Sequence, residues 1–101
     1  MRIYKAYILT FDRKFLEPFN YKAFHDAVVG YDEIISWWHY LQSTYILIVD
    51  GGIEASDITQ FVLSIAPGKN FFVCELSLSN HNGFLPKEAW EWINKFLDAR
   101  N

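Results

Sequence analysis

The stretch Ile34–Asp50, IISWWHYLQSTYILIVD, decides how the rest of the chain is read. It carries two of the four tryptophans, a histidine, two tyrosines and a run of β-branched residues. Such residues fit a pleated, half-buried surface, so the stretch reads as two strands joined by a tight turn at Gln42-Ser43. Side chains alternate along a strand, which sets Ile35, Trp37 and His39 on one face and Ser36, Trp38 and Tyr40 on the other. Both faces are therefore large, and Thr44 to Val49 is apolar on both as well. A sheet with one face in water does not look like this. The second face must be covered, either by the C-terminal segment or by another copy of the chain.

Outward from the hairpin, Ile3 to Phe11, IYKAYILTF, is a strand that ends abruptly in the charged run Asp12-Arg13-Lys14. Its nearly unbroken apolar content after Lys5 argues for a central position. Phe15 to Phe19 is a loop punctuated by Pro18, and Asn20 is placed to cap a helix. Tyr21, Phe24, Ala27, Val28 and Tyr31 recur at three-to-four spacing, the mark of one buried stripe. Gly30 suits a left-handed helix end. Asp50-Gly51-Gly52 is a turn, and Ser56 or Asp57 caps a second helix with the stripe Ile58, Phe61, Val62, Ile65. Pro67-Gly68 stops it. Asn70 to Ser77, NFFVCELS, is a fourth strand, and Ser79-Asn80-His81-Asn82-Gly83 is a polar loop. Pro86 opens a last helix. There Trp90, Ile93 and Leu97 form the main buried stripe, with Phe96 beside it and Trp92 off the line.

The order strand, helix, strand, strand, helix, strand, helix, joined by short right-handed connections, predicts an α+β fold. It is a ferredoxin-like βαββαβ sandwich: a four-stranded antiparallel sheet, two helices on one face, and a C-terminal helix. The first and third strands should be central. At 101 residues the chain fits a single domain, 1–101. Aromatics make up 19% of it, more than one small core needs, so some rings belong at an interface. A formal charge of −3 argues against a simple phosphate-coating protein, though not against a local basic patch. The single cysteine, Cys74, cannot close an internal disulfide and reads as a small buried hydrophobe. The start of the chain lacks the apolar core of a signal peptide, and no apolar run approaches a membrane span. A cytoplasmic protein with no membrane contact is expected.

The segments YILTFD, NYKAFHDAV, SWWHYLQSTYILIV, ASDITQFV and FFVCEL, followed by a tryptophan-containing helix, resemble a family of small bacterial and phage proteins that carry the label SinR. The most specific piece is WWHYLQST, Trp37 to Thr44. That family is distantly similar to the small CRISPR-associated endoribonuclease-like subunit of the adaptation complex and to VapD-type toxins. In those relatives the first strand ends in an aromatic-Asp pair, a role Phe11-Asp12 fills here. A Gln-x-Ser or similar turn joins their second and third strands, and Gln42-Ser43 is similar, with no residue between the two. The resemblance implies a homodimer, with an aspartate from each protomer holding a metal ion, Mg²⁺ or Mn²⁺. It also allows a divalent-metal-dependent endoribonuclease or a related nucleic-acid-processing activity on RNA or DNA. The arginine-rich start of the relatives' first helix is missing; Tyr21-Lys22 stands in its place.

Candidate site residues follow. Asp12 is the metal-binding and catalytic candidate, a carboxylate at the mouth of a central strand. It would equally serve to cap a loop or pair with Arg13 or Lys14. Ser43 is a second catalytic candidate, although no nucleophile elbow surrounds it and a turn role fits it as well. Arg13, Lys14 and Lys22 are the one basic cluster near the end of the first strand, where phosphate would bind. His39 has the side chain for proton transfer at neutral pH, and also for hydrogen bonding within a packed sheet face. Trp37, Trp38, His39 and Tyr40 are the interface candidates. With no Arg or Lys in the hairpin, core packing and a dimer contact explain these rings better than base stacking. The alternative to an enzyme is a non-catalytic protein-interaction module, in phage–host conflict or toxin–antitoxin regulation.

Overall fold

The computed structural model describes residues 3–12 and 21–97. Strand β1 (Tyr4–Phe11) leads to helix α1 (Tyr21–Val29), then to strands β2 (Ile34–Leu41) and β3 (Thr44–Asp50). Helix α2 (Ala55–Ile65), strand β4 (Phe71–Leu76) and helix α3 (Lys87–Lys95) complete the described elements. The strands form one antiparallel sheet in the order β2-β3-β1-β4, with β1 and β3 central. This is the expected α+β fold, consistent with a ferredoxin-like arrangement.

Alternation along the central strands builds two cores. Tyr7, Leu9 and Phe11 of β1 and Tyr45, Leu47 and Val49 of β3 point to one face. There they meet Phe24 and Val28 of α1, Ile58 and Val62 of α2, and Ala66. On the opposite face Ala6, Ile46, Ile48 and Trp38 pack with Leu78 and with Ala89 and Ile93 of α3. The cover of the second face is thus the C-terminal segment. Trp38 sits beneath it, only 3% exposed, its indole N–H donating to the Ala89 carbonyl at 3.3 Å. Trp92 also turns inward, donating to Ser36 Oγ at 2.9 Å and packing with Phe96, although the periodicity sets it off the stripe. Among the described residues the cover is incomplete. Beside it an apolar cleft of about 330 Å³ runs between Ile8, Leu41, Trp38, Trp90 and Leu85. Phe72 (60% exposed) and Cys74 lie in the open on edge strand β4. Cys74 is therefore exposed, not buried, because α3 docks over β2 and β3 and leaves the β4 edge bare.

The β2–β3 register is irregular in two places, between Ile34 and Ser36 and between Trp38 and Leu41. Each inserts an extra residue on β2, the signature of a β-bulge. The first lets Ile34 join the core of the first face while Trp38 joins the other. The second brackets His39. Helix α2 begins two or three residues earlier than expected. Glu54 is its cap, and a reciprocal capping box pairs Glu54 with Asp57, which donates no cap of its own but accepts the Glu54 N–H at 2.8 Å. Asn20 falls outside the described residues. Gly30 ends α1 without a left-handed backbone; its N–H closes the last turn on the Asp26 carbonyl at 3.0 Å.

Candidate functional site at the C-terminal end of β1

In this topology the end of β1, the start of α1, the β2–β3 turn and the start of β4 all lie at one end of the sheet. Backbone hydrogen bonds tie them together. The Phe11 N–H donates to the Ser43 carbonyl at 3.1 Å, and the Asp12 N–H to the Asn70 carbonyl at 3.5 Å. Thr10 Oγ1 adds a bond to the same Ser43 carbonyl at 3.3 Å. Asp12 and Ser43, distant in sequence, therefore share one end of the sheet. Asp12 is exposed there. The Ser43 contacts run through its backbone, as befits a turn residue. Lys22, on the first turn of α1, is exposed and paired with Asp26 at 2.8 Å, so part of its charge is already answered. Arg13 and Lys14 lie outside the described residues.

The same end holds a cluster of aromatic and titratable side chains. Tyr21 and His25 stand four apart on α1 and so share one helix face. They meet His39 of β2 and Tyr45 of β3. The rings of His39 and Tyr45 stack at 3.9 Å with an interplanar angle of 1°. His39 Nδ1 lies 3.0 Å from the Thr44 carbonyl, which can only accept, so Nδ1 carries the proton. In the neutral ring Nε2 is then an acceptor, and it takes a hydrogen bond from the Tyr21 hydroxyl. His25 Nδ1 and the Tyr45 hydroxyl are bonded at 2.7 Å. Trp37, 39% exposed, stands edge-on to His25 at 5.1 Å.

Electrostatics follow from burial. Burial pushes His39 below its usual value, outweighing the Thr44 bond, with a further push from neighbouring His25. Burial pushes the Tyr45 phenol far up, and the Tyr21 phenol beside it adds to the effect, so Tyr45 stays protonated. The site thus offers a neutral imidazole with a fixed tautomer, a phenol hydrogen-bonded to its lone pair, and a rigid aromatic plate beneath.

The interface candidates divide. Trp38 is enclosed by its own chain and has almost no surface to give a partner, which corrects its assignment to an interface. His39 is half-buried in the cluster just described. Trp37 and Tyr40 are partly exposed on opposite faces of β2. As for a divalent ion, among the described residues no group of three His, Cys, Asp or Glu side chains could hold one. A single exposed carboxylate supplies far fewer oxygens than Mg²⁺ or Mn²⁺ takes, so such an ion would fit only with Asp12 contributed by two protomers.

Tyr21, His25 and Tyr45 are the partners that the sequence reading of the site missed. The signal was present in a weak form: a Tyr-x-x-x-His pair on one helix face, and a histidine and a tyrosine flanking a hairpin turn. No protein-family model, curated protein or solved structure matches the chain. No described helix is long and apolar enough to cross a membrane.

Proposed function

We propose that the protein is a homodimeric, cytoplasmic nucleic-acid-processing enzyme of the endoribonuclease type, with its site at the C-terminal end of β1. The observation that carries this reading is the placement at one end of the sheet of Asp12, the Ser43 turn and the Tyr21–His39 pair, with burial pushing His39 below its usual value and its Nε2 lone pair directed at a hydroxyl. A neutral imidazole is the commonest general base at neutral pH. The phenylalanine-aspartate end of β1 adds the resemblance to CRISPR-associated and VapD-type proteins. Asp12 from two protomers would hold Mg²⁺ or Mn²⁺, which when bound supplies the positive charge that an acidic chain otherwise lacks near phosphate.

The test is cleavage of RNA and DNA oligonucleotides with and without Mn²⁺, comparing wild type with Asp12→Asn, alongside the mass in solution. The expected result is a dimer that cuts RNA, with Asp12→Asn binding RNA more weakly in Mn²⁺. Cleavage that is unchanged in Asp12→Asn removes Asp12 from the site. No cleavage of any nucleic acid overturns the enzymatic reading.

A second reading is favoured by a different observation. Phe72 is 60% exposed and Phe84 wholly so, with Tyr40 and Leu41 also partly bare. Large apolar side chains left uncovered on a small domain are what a protein-interaction module would use. A defined dimer without nuclease activity would favour it.

A further inference from the structure

We propose that His39 and Tyr21 form the proton-transfer pair of this site, and that they cleave RNA through its own 2′-hydroxyl. The inference rests on the endoribonuclease reading and deepens it by naming the chemistry. The Thr44 carbonyl fixes the proton on Nδ1, the Tyr45 ring fixes the imidazole plane, and Nε2 faces outward toward Tyr21. Tyr45 is itself held by His25. The titratable groups packed against His39 are Tyr21 and His25 from α1 and Tyr45 from β3. A base built in this way, with one lone pair and a hydroxyl beside it, suits the transfer of two protons between neighbouring oxygens.

The step balances without any added reactant. The substrate 2′-hydroxyl displaces the Tyr21 O–H from Nε2 and gives its proton to His39 as O2′ forms a bond to phosphorus. The bond from phosphorus to O5′ breaks, and the freed Tyr21 hydroxyl protonates the leaving O5′. The imidazolium then returns a proton to the Tyr21 oxygen. The products are a 2′,3′-cyclic phosphate and a 5′-hydroxyl. DNA lacks the internal nucleophile, so it is not a substrate by this route.

The test uses the full chain in Mn²⁺, a single-stranded RNA, the matching DNA, and a nucleoside 3′-(4-nitrophenyl phosphate), whose leaving group needs no proton. Wild type should cut the RNA to 2′,3′-cyclic ends and leave the DNA intact. His39→Gln should lower the rate on both RNA and the ester by roughly 10²–10⁴-fold, the usual contribution of a positioned base. Tyr21→Phe should lose rate on RNA but not on the ester, a split that a merely structural role would not produce. Circular dichroism checks both variants, and Tyr21→Phe, at a partly exposed residue, carries the test if His39→Gln does not fold. Cleavage that leaves 5′-phosphate ends or survives in His39→Gln overturns the inference while the endoribonuclease reading stands. Absence of all cleavage overturns both.

Discussion

Replacing Trp38 by alanine tests whether α3 is a structural part of the domain or a loose tail. Trp38 is 3% exposed, packs in one cluster with Ile46, Ile48, Ala89 and Ile93, and donates its N–H to the Ala89 carbonyl. Truncating a buried tryptophan costs about 3–5 kcal/mol through lost burial and the cavity left behind. The Ala89 carbonyl also loses the indole N–H as a second donor. Domains of this size are stable by only about 5–15 kcal/mol, so the variant should lose a large share of its stability. Urea titration followed by far-ultraviolet circular dichroism measures the loss without relying on the missing fluorophore. Ile93→Ala, from the facing side, should cost about 2–5 kcal/mol. The double variant should lose less than the sum of the two, since residues in contact couple by about 0.5–3 kcal/mol. A Trp38→Ala cost below about 1 kcal/mol, with Ile93→Ala strictly additive, would refute the docking of α3 on the second face.

Other expectations concern the first face and the surface. Tyr7 is 1% exposed, and its hydroxyl donates to the Ile53 carbonyl at 2.9 Å; Tyr7→Phe should destabilise by about 1 kcal/mol in urea, because the part-buried carbonyl loses this partner. His39 has a folded-state pKa below its unfolded one, so the unfolded chain binds the proton first as the pH falls. Its contribution to stability should be full above the unfolded value near 6.5 and lost as the pH falls through the lower folded value. His39→Gln should flatten that part of the stability–pH curve. Cys74 is exposed on β4, so the native protein should react fully with a thiol reagent at close to the unfolded rate; protection would mean that something covers this edge in solution.

The fold was legible in the sequence because its signals agreed with one another. The β-branched runs, the Asp50-Gly51-Gly52 turn and the two helical stripes all pointed to one strand order, and the two-sided hairpin required a second cover. What escaped depends on packing rather than pattern. The bulge beside Ile35 resets which neighbours face which core, and no local residue announces it. Trp92 looks misplaced on a helical wheel, yet Ser36 gives its indole N–H an acceptor. Cys74 reads as buried because its neighbours are apolar, while its exposure follows from how far α3 reaches. At the site, Asp12 and His39 could each be singled out by residue type. Their partners could not: Tyr21 was counted as part of the buried stripe of α1, and only the folded chain sets it against His39 and His25 beside Tyr45.

The central claim is that His39 is held as a neutral imidazole with its proton on Nδ1 and its Nε2 lone pair turned to the Tyr21 hydroxyl. Nitrogen-15 nuclear magnetic resonance of the histidine side chains, followed through a pH titration, reads this directly. The expected spectrum has His39 in the Nδ1–H form at neutral pH, titrating below an ordinary histidine, with Tyr21→Phe shifting the Nε2 resonance. An Nε2–H tautomer, or a midpoint at or above the ordinary value, would contradict it.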